Sequence, residues 1–407
     1  MYPDAAFDTM NQDLLDWVRA NGGSTGSLAI RRSAGIRGLH LEDAVASGGE
    51  VLYVPRQLAI TADVAKSSLV GQQIAAGGRN VSERGYIAAF LLSMRKKDGF
   101  WKPYIDILEN ALFTHPLFFF SENKAILNKW FYTSSCIVAF NDECEREFAN
   151  ITESLRAADR FTIQEFTWAF CCVMSRAFTI KTGDRKTIAL MPLLDLMNHS
   201  FSENCTYKFE EDGCHISALR TVGAEEACSI NYGNIGNHQL YPTWGFHIDG
   251  NPYNSAYIYF PSDQKLFLCP TDYDSPPVRE MFSFLRDKHI SSKSTPEQSG
   301  GPSDLIRREV ELASLKDLLL VCKWNIKSRE AVFDQENFPP NAMQSPGFHD
   351  LIFAYRNEMQ IVEHYLKLAT LAIRLLQNLP EDPDCKEDIS RLEPKYSAFL
   401  RDAALCS

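Results

Sequence analysis

The chain has 407 residues, enough for two or more cores that each bury the apolar surface needed to fold. Hydrophobic residues at 45% and charged residues at 23% indicate a soluble globular protein and exclude a disordered or fibrous one. The formal net charge of -11 excludes broad electrostatic capture of nucleic acid and favours a basic partner such as a Lys/Arg-rich protein segment.

The N-terminal stretch MYPDAAFDTMNQDLLDW lacks a basic region followed by an apolar one, so it does not read as a secretory signal. No run of about 18 apolar residues is present, so no membrane partner is expected. The 11 cysteines are scattered, with no Cys-x-x-Cys pair, which fits reduced thiols and a cytoplasmic location, with the nucleus also open. Cys205, Cys214 and His215 read as incidental to a hairpin, and no metal site is expected.

In chain order, residues 10–20 give a short amphipathic helix with Leu14, Leu15 and Val18 on one face. From Ser27 to Thr61 short apolar runs alternate with glycine-rich turns, the pattern of small strands. Residues 83–180 are helical, with a capping box at Thr162 and Glu165 and a helix ending near Ser175-Arg176. Strands resume at Thr187. Residues 206–209 and 214–219 flank Asp212-Gly213, read as a tight turn with positive φ, and a third strand is expected at 227–232. After Pro261 the pattern is helical to the end, broken by a Ser/Gly/Pro-rich stretch at 291–303. Tyr355, Met359, Val362, Leu366, Ala369, Ile373 and Leu376 form one apolar seam, and Leu305, Leu312, Leu315, Leu319 and Cys322 form another, so two helices of a bundle are expected.

The chemically informative segments are Met174 to Ser200 and Ser229 to Phe246. Together with Gly38-Leu39 and Trp101-Lys102-Pro103-Tyr104 they supply Ser175-Arg176-Ala177-Phe178, Asp195 to Ser200 and Asn231-Tyr232-Gly233, in that order. In these ordered motifs the chain resembles the split-SET protein methyltransferases, typified by the Rubisco large-subunit lysine methyltransferase. The likeness extends to a helical tail carrying Tyr355-Arg356-Asn357-Glu358, similar to that family's substrate-binding domain.

The resemblance implies an α+β fold: a β-rich SET fold of small knotted sheets, interrupted by a helical insert and followed by an all-α C-terminal domain. The expected segments are 1–82, the first part of the SET domain with its N-terminal helix; 83–186, the helical insert; 187–250, the second SET part with the cofactor and catalytic motifs; and 251–407, a mainly helical substrate-binding domain. It also implies S-adenosylmethionine (SAM) as cofactor and a protein substrate with lysine as the methyl acceptor; a monomer is expected, though the sequence leaves the oligomeric state open. Arg176 is then expected to hold the SAM carboxylate through its planar fork. Asn198 would meet the ammonium, the His199 backbone the adenine edge, and Asp195 would orient the loop. Gly38 and Leu39 would lay backbone along the cofactor, glycine permitting the close approach. Tyr232 is the expected catalytic residue, aligning the acceptor nitrogen with the sulfonium.

One motif departs from the family. Where lysine-modifying relatives carry Tyr-Gly-Phe, this chain reads Trp244-Gly245-Phe246, which removes a hydroxyl from the expected acceptor channel. Trp244, Phe246 and Tyr241, three positions before Trp244, are the expected channel residues, with Pro242 expected to distort the helix between them. The change leaves a histidine acceptor, and a silent SAM- or peptide-binding adaptor, as alternatives.

Overall fold

The apolar spacing at the N-terminus does form a helix, α1 (Asp4–Ala20), and Leu14, Leu15 and Val18 are all buried. The structure, a computed structural model, describes residues 4–33, 35–95, 98–108, 115–121, 127, 129–260, 265–268, 276–290, 304–330 and 346–377. The expected loop at 291–303 lies outside these, as do the side chains of residues 304–307, Leu305 among them. No described helix is long and apolar enough to cross a membrane.

The chain divides into two compact units, Met1–Glu122 with Ala139–Asn234, and Asn123–Val138 with Ile235–Ser407. The division differs from the expected segments at two places: residues 123–138 of the helical stretch go with the second unit, and the passage out of the first falls at 234 instead of 250.

In the first unit β1 (Leu28–Ser33) pairs antiparallel with β2 (Ile36–Leu41), while β3 (Glu50–Pro55) pairs with a later strand. β4 (Ile60–Thr61) leads into α2 (Ala62–Ser67), whose first turn is capped by the Thr61 hydroxyl, and α3 (Leu69–Ala76) is capped in the same way by Ser68. α4 (Glu83–Arg95), α5 (Lys102–Ile107) and α6 (Pro116–Ser121) follow, then α7 (Tyr132–Ser154) and α8 (Ile163–Arg176). α4 packs on α8, and a run from Tyr86 to Leu92 is buried there. The capping box forms as expected: the Thr162 hydroxyl accepts from Glu165 N at 3.2 Å, and Glu165 Oε2 accepts from Thr162 N at 2.8 Å.

Strand structure resumes at once after α8, ten residues before the expected Thr187 (187 − 177). β5 (Ala177–Thr182) pairs with β6 (Arg185–Leu190), and β4 completes a three-stranded sheet in the order β4-β6-β5. β7 (Asn198–His199), β8 (Cys205–Phe209) and β9 (Gly213–Ala218) come next, with β3-β9-β8 as the second three-stranded sheet. The hairpin is where the sequence puts it, but its turn works differently. Gly213 is not among the positive-φ glycines; it is needed because a Cβ there would lie 2.3 Å from the Val54 carbonyl of β3. The expected third strand at 227–232 shortens to β10 (Ser229–Ile230), which pairs in parallel with β7.

In the second unit α9 (Asn237–Trp244) runs through Pro242 and ends on Gly245, whose φ of 77° supplies the left-handed C-cap. The unit is not all helix. β11 (Ala256–Tyr259) and β12 (Lys265–Leu268) form a hairpin inside the stretch expected to be helical, because Ala256, Ile258, Leu266 and Leu268 alternate onto the same buried face. α10 (Pro276–Ile290), α11 (Asp304–Glu330) and α12 (Pro346–Leu376) complete the unit. Both expected seams are in its core: Tyr355, Met359, Val362, Ala369 and Leu376 of α12 are buried, as are Leu315 and Cys322 of α11.

Tyr355 and Glu358 of α12 also hold the start of α7. The Glu358 carboxylate accepts from Tyr132 N at 2.7 Å, Thr133 N at 2.8 Å and the Thr133 hydroxyl at 2.7 Å, satisfying donors that a helix start leaves open. The Tyr355 ring stacks on Phe131 at 3.8 Å, and its hydroxyl meets Ser134 Oγ. Arg329, fully buried, donates to the Trp130 and Tyr257 carbonyls.

Candidate active site

Seven of the sequence-expected residues come together in the first unit. β2 brings Gly38 and Leu39, the end of α8 brings Arg176, a short turn Leu194–Leu196 brings Asp195, β7 brings Asn198 and His199, and the segment after β10 brings Tyr232. The backbone is drawn tight before Asp195: buried Leu193 has φ 66° and ψ −47°, a conformation that L-residues rarely adopt. The Asp195 and Leu196 amides then close the turn onto the carbonyls of Met191 and Leu193.

Gly38 sits directly against Asn198, since a Cβ there would lie 2.6 Å from Asn198 Nδ2. This close approach lets Asn198 Nδ2 donate to the Arg37 carbonyl at 3.0 Å, which sets the direction of the amide. One residue further, Cys228 N donates to the Leu39 carbonyl at 2.8 Å and ties β2 to the strand leading to Tyr232.

The parallel pairing of Ser229 with Asn198 and Ile230 with His199 brings the Asn-His and Asn-Tyr-Gly motifs side by side. Tyr232 N donates to His199 Nδ1 at 3.1 Å, so that nitrogen is an acceptor and the ring proton belongs on Nε2. Burial holds the His199 imidazole below its ordinary pKa, which keeps it neutral. The Tyr232 hydroxyl donates to the Met197 carbonyl at 2.7 Å, and burial pushes its pKa well above the usual phenol value. At neutral pH this phenol is protonated, with its oxygen lone pairs left as acceptors.

Arg176, partly buried, and Asp195, whose side chain is fully buried, form an ion pair. Arg176 Nη1 donates to Asp195 Oδ2 at 3.2 Å and to the Asp195 carbonyl at 3.1 Å. Burial opposes the charge on both groups; Asp195 overcomes it at the guanidinium, whose pKa is raised, while Arg176 and Tyr104 only partly offset it at Asp195, whose pKa is also raised. The Arg176 Nε remains buried without a hydrogen bond. The guanidinium is thus fastened through one nitrogen and keeps a donor edge of the kind that takes a carboxylate side-on.

Two contributors carry no signal of their own in the sequence reading. Tyr104, noted there only as part of a motif, donates to Asp195 Oδ2 at 2.8 Å. Asn204, buried, accepts from Ser229 N at 2.8 Å and donates to the Ala227 carbonyl at 2.8 Å, fixing the strand before Tyr232.

The expected channel residues belong to the second unit. Tyr241 is fully buried, and its hydroxyl donates to the Gly347 carbonyl at 2.8 Å, a structural bond that occupies the group expected to serve the acceptor. Trp244 and Phe246 are half-buried at the C-terminal end of α9.

No family model matches the chain. It is similar to the actin-histidine N-methyltransferases of Callithrix jacchus and Homo sapiens, 30% identical over 262 residues, which cover 60% of this chain and 44% of each relative. The protein of the same name from Xenopus tropicalis is 30% identical over 275 residues, covering 62% and 46%. The match therefore spans less than half the length of these curated relatives. Among solved structures, the SET domain of LSMT bound to lysine and AdoHcy has a TM-score of 0.67 at 16% identity, covering 97% of this chain and 99% of that one. Rubisco LSMT bound to AdoMet has a TM-score of 0.65 at 16% identity, covering 99% and 100%. Near-complete coverage at that level, on top of the small sheets, the parallel β7-β10 pair and the helical C-terminal region, establishes that the chain has the SET fold of LSMT.

Proposed function

We propose that the chain is a SAM-dependent protein N-methyltransferase whose acceptor is a histidine side chain. The observation that carries the reading is the partly buried Arg176, anchored by Asp195 through Nη1 with its buried Nε making no hydrogen bond, on the same assembly as Gly38, Asn198, His199 and Tyr232. A cofactor bearing a carboxylate fits that donor. The 30% identical relatives, named as actin-histidine N-methyltransferases, support both the cofactor class and histidine over the lysine that the family motifs imply. Actin is accordingly the first substrate to test.

Bound SAM supplies a methyl group on a sulfonium. Arg176 would hold its carboxylate, and Asn198 and the His199 backbone its ammonium and adenine edge. A histidine acceptor suits the groups on this side of the site. Imidazole, with an ordinary pKa of about 6.5, is largely neutral near pH 7, whereas a lysine at about 10.4 must lose a proton at a cost of about 5 kcal/mol. Tyr232 is protonated and bonded to Met197, and Asp195 is committed to Arg176 and Tyr104, so neither serves readily as a base. The Tyr232 oxygen can instead accept the acceptor ring's N–H, which points the other nitrogen's lone pair at the methyl carbon.

The test is purified protein with methyl-labelled SAM and actin, then with cell lysate, followed by mass spectrometry of the labelled band. Label on histidine is expected, and Tyr232→Phe should lower the rate by about a hundredfold or more while the SAM dissociation constant changes little. Label on lysine would overturn the acceptor, and SAM binding without any label would favour the adaptor reading.

A further inference from the structure

Tyr104 lies on α5 with its side chain fully buried, yet its hydroxyl is committed 2.8 Å away to Asp195 Oδ2, on a turn 91 residues later. That same oxygen receives Arg176 Nη1, and the Asp195 carbonyl receives the identical nitrogen. The guanidinium is therefore fixed by a single residue, and that residue is fixed by Tyr104. Two polar atoms of the cluster, Arg176 Nε and Asp195 Oδ1, are buried without any hydrogen bond, which costs free energy unless something meets them. Packing alone does not explain a tyrosine here, because phenylalanine fills nearly the same volume without a hydroxyl to satisfy.

We propose that Tyr104 is a positioning residue for the cofactor: its hydroxyl locks Asp195, which turns Arg176 so that the Nε edge meets the SAM carboxylate. The inference rests on the SAM reading above and adds a relay, Tyr104 to Asp195 to Arg176, in which only the last member touches ligand. An arginine on a flexible stem holds a carboxylate side-on only where its plane is fixed, and here the fixing groups come from α5 and from the turn before β7.

The relay has a signature that space-filling lacks. Asp195 is faced by Arg176 and Cys172 of α8, Tyr104 of α5, Arg37 of β2 and Tyr232. Burial favours its protonated form, while Arg176 and the Tyr104 hydroxyl favour the carboxylate. Without the hydroxyl, Asp195 takes up its proton at higher pH, and the hold on Arg176 fails there.

The experiment is calorimetric SAM titration of the full chain across about pH 5 to 8, for wild type, Tyr104→Phe, Asp195→Asn and the double variant, with thermal melting in parallel. Ser314→Ala, which removes a buried hydroxyl in the other unit, is the control. Tyr104→Phe is expected to weaken SAM at least tenfold, about 1.4 kcal/mol, and to move the acid loss of binding to higher pH. Added to Asp195→Asn it should cost nothing more. Unchanged SAM affinity in Tyr104→Phe, full additivity in the double variant, or a lower melting temperature with an unmoved pH midpoint would each overturn the relay. Wild type that binds no SAM at any pH would instead bring down the cofactor reading itself.

Discussion

A hydrogen atom at position 38 decides how closely β2 and β7 can meet. With alanine there, the added carbon would sit 2.6 Å from Asn198 Nδ2, well inside contact distance, so the amide at the end of that side chain must shift. Gly38→Ala should push the Asn198 amide off the Arg37 carbonyl, weakening SAM about tenfold and lowering the melting temperature; calorimetry and a thermal melt read both, and an alanine variant with wild-type affinity would show that the strands can part without harm. The glycine was legible in the sequence as a point of close approach, but the neighbour it approaches is the Asn198 side chain as well as any ligand. Tyr104 and Asn204 were not legible as site residues, because bonds spanning 91 and 25 positions leave no periodic trace in a single sequence. Leu193 gives no warning either, since nothing in its side chain predicts a positive φ.

Helix starts show the same contrast between local and distant causes. The α8 cap is written within four residues, Thr162 to Glu165, and could be read directly. The start of α7 follows Phe131, which offers no capping oxygen, and its cap comes from Glu358, 226 positions beyond Tyr132. Removing that carboxylate strands one buried and one partly buried amide and leaves buried Arg329 without its nearby anion. Glu358→Ala should therefore cost roughly 3–5 kcal/mol of unfolding free energy, and Glu358→Gln, which keeps an acceptor, distinctly less; denaturant titration distinguishes them, and equal losses would assign the cost to packing. The β11-β12 hairpin escaped the sequence reading for a related reason. Four-residue strands are shorter than any window that separates alternation from a helical period, and only the cover of α10, α11 and α12 makes them worth forming.

At the scale of the whole molecule, ordered motifs scattered from Gly38 to Tyr232 made the SET fold recognisable, whereas the interleaving of the units was hidden, because the α7 pattern runs unbroken across position 138. Stability should carry a titration from the second unit. His238 is buried beside the Ser255 hydroxyl, and burial holds its pKa at about 4, below the 6.5 of an exposed imidazole. Between those values the unfolded chain binds a proton that the folded one refuses, so stability is full above pH 6.5 and falls as pH drops toward 4, by roughly 3 kcal/mol at most. Unfolding curves at pH 7.5 and 4.5 should differ less in His238→Gln than in wild type, and an identical difference would assign the acid sensitivity elsewhere. The parallel β7-β10 pair has a consequence of another kind. Its two strands are two residues long and about thirty residues apart in sequence, and the segment between them supplies β8 and β9, the latter paired with β3. So short a pairing has little strength of its own and lasts only when the elements between its strands are already in place. A refolding chain can thus recover its helices and much of its compactness while Tyr232 and His199 are still strangers, and the proposed methyl transfer would then gauge how many molecules in a preparation have brought the two together.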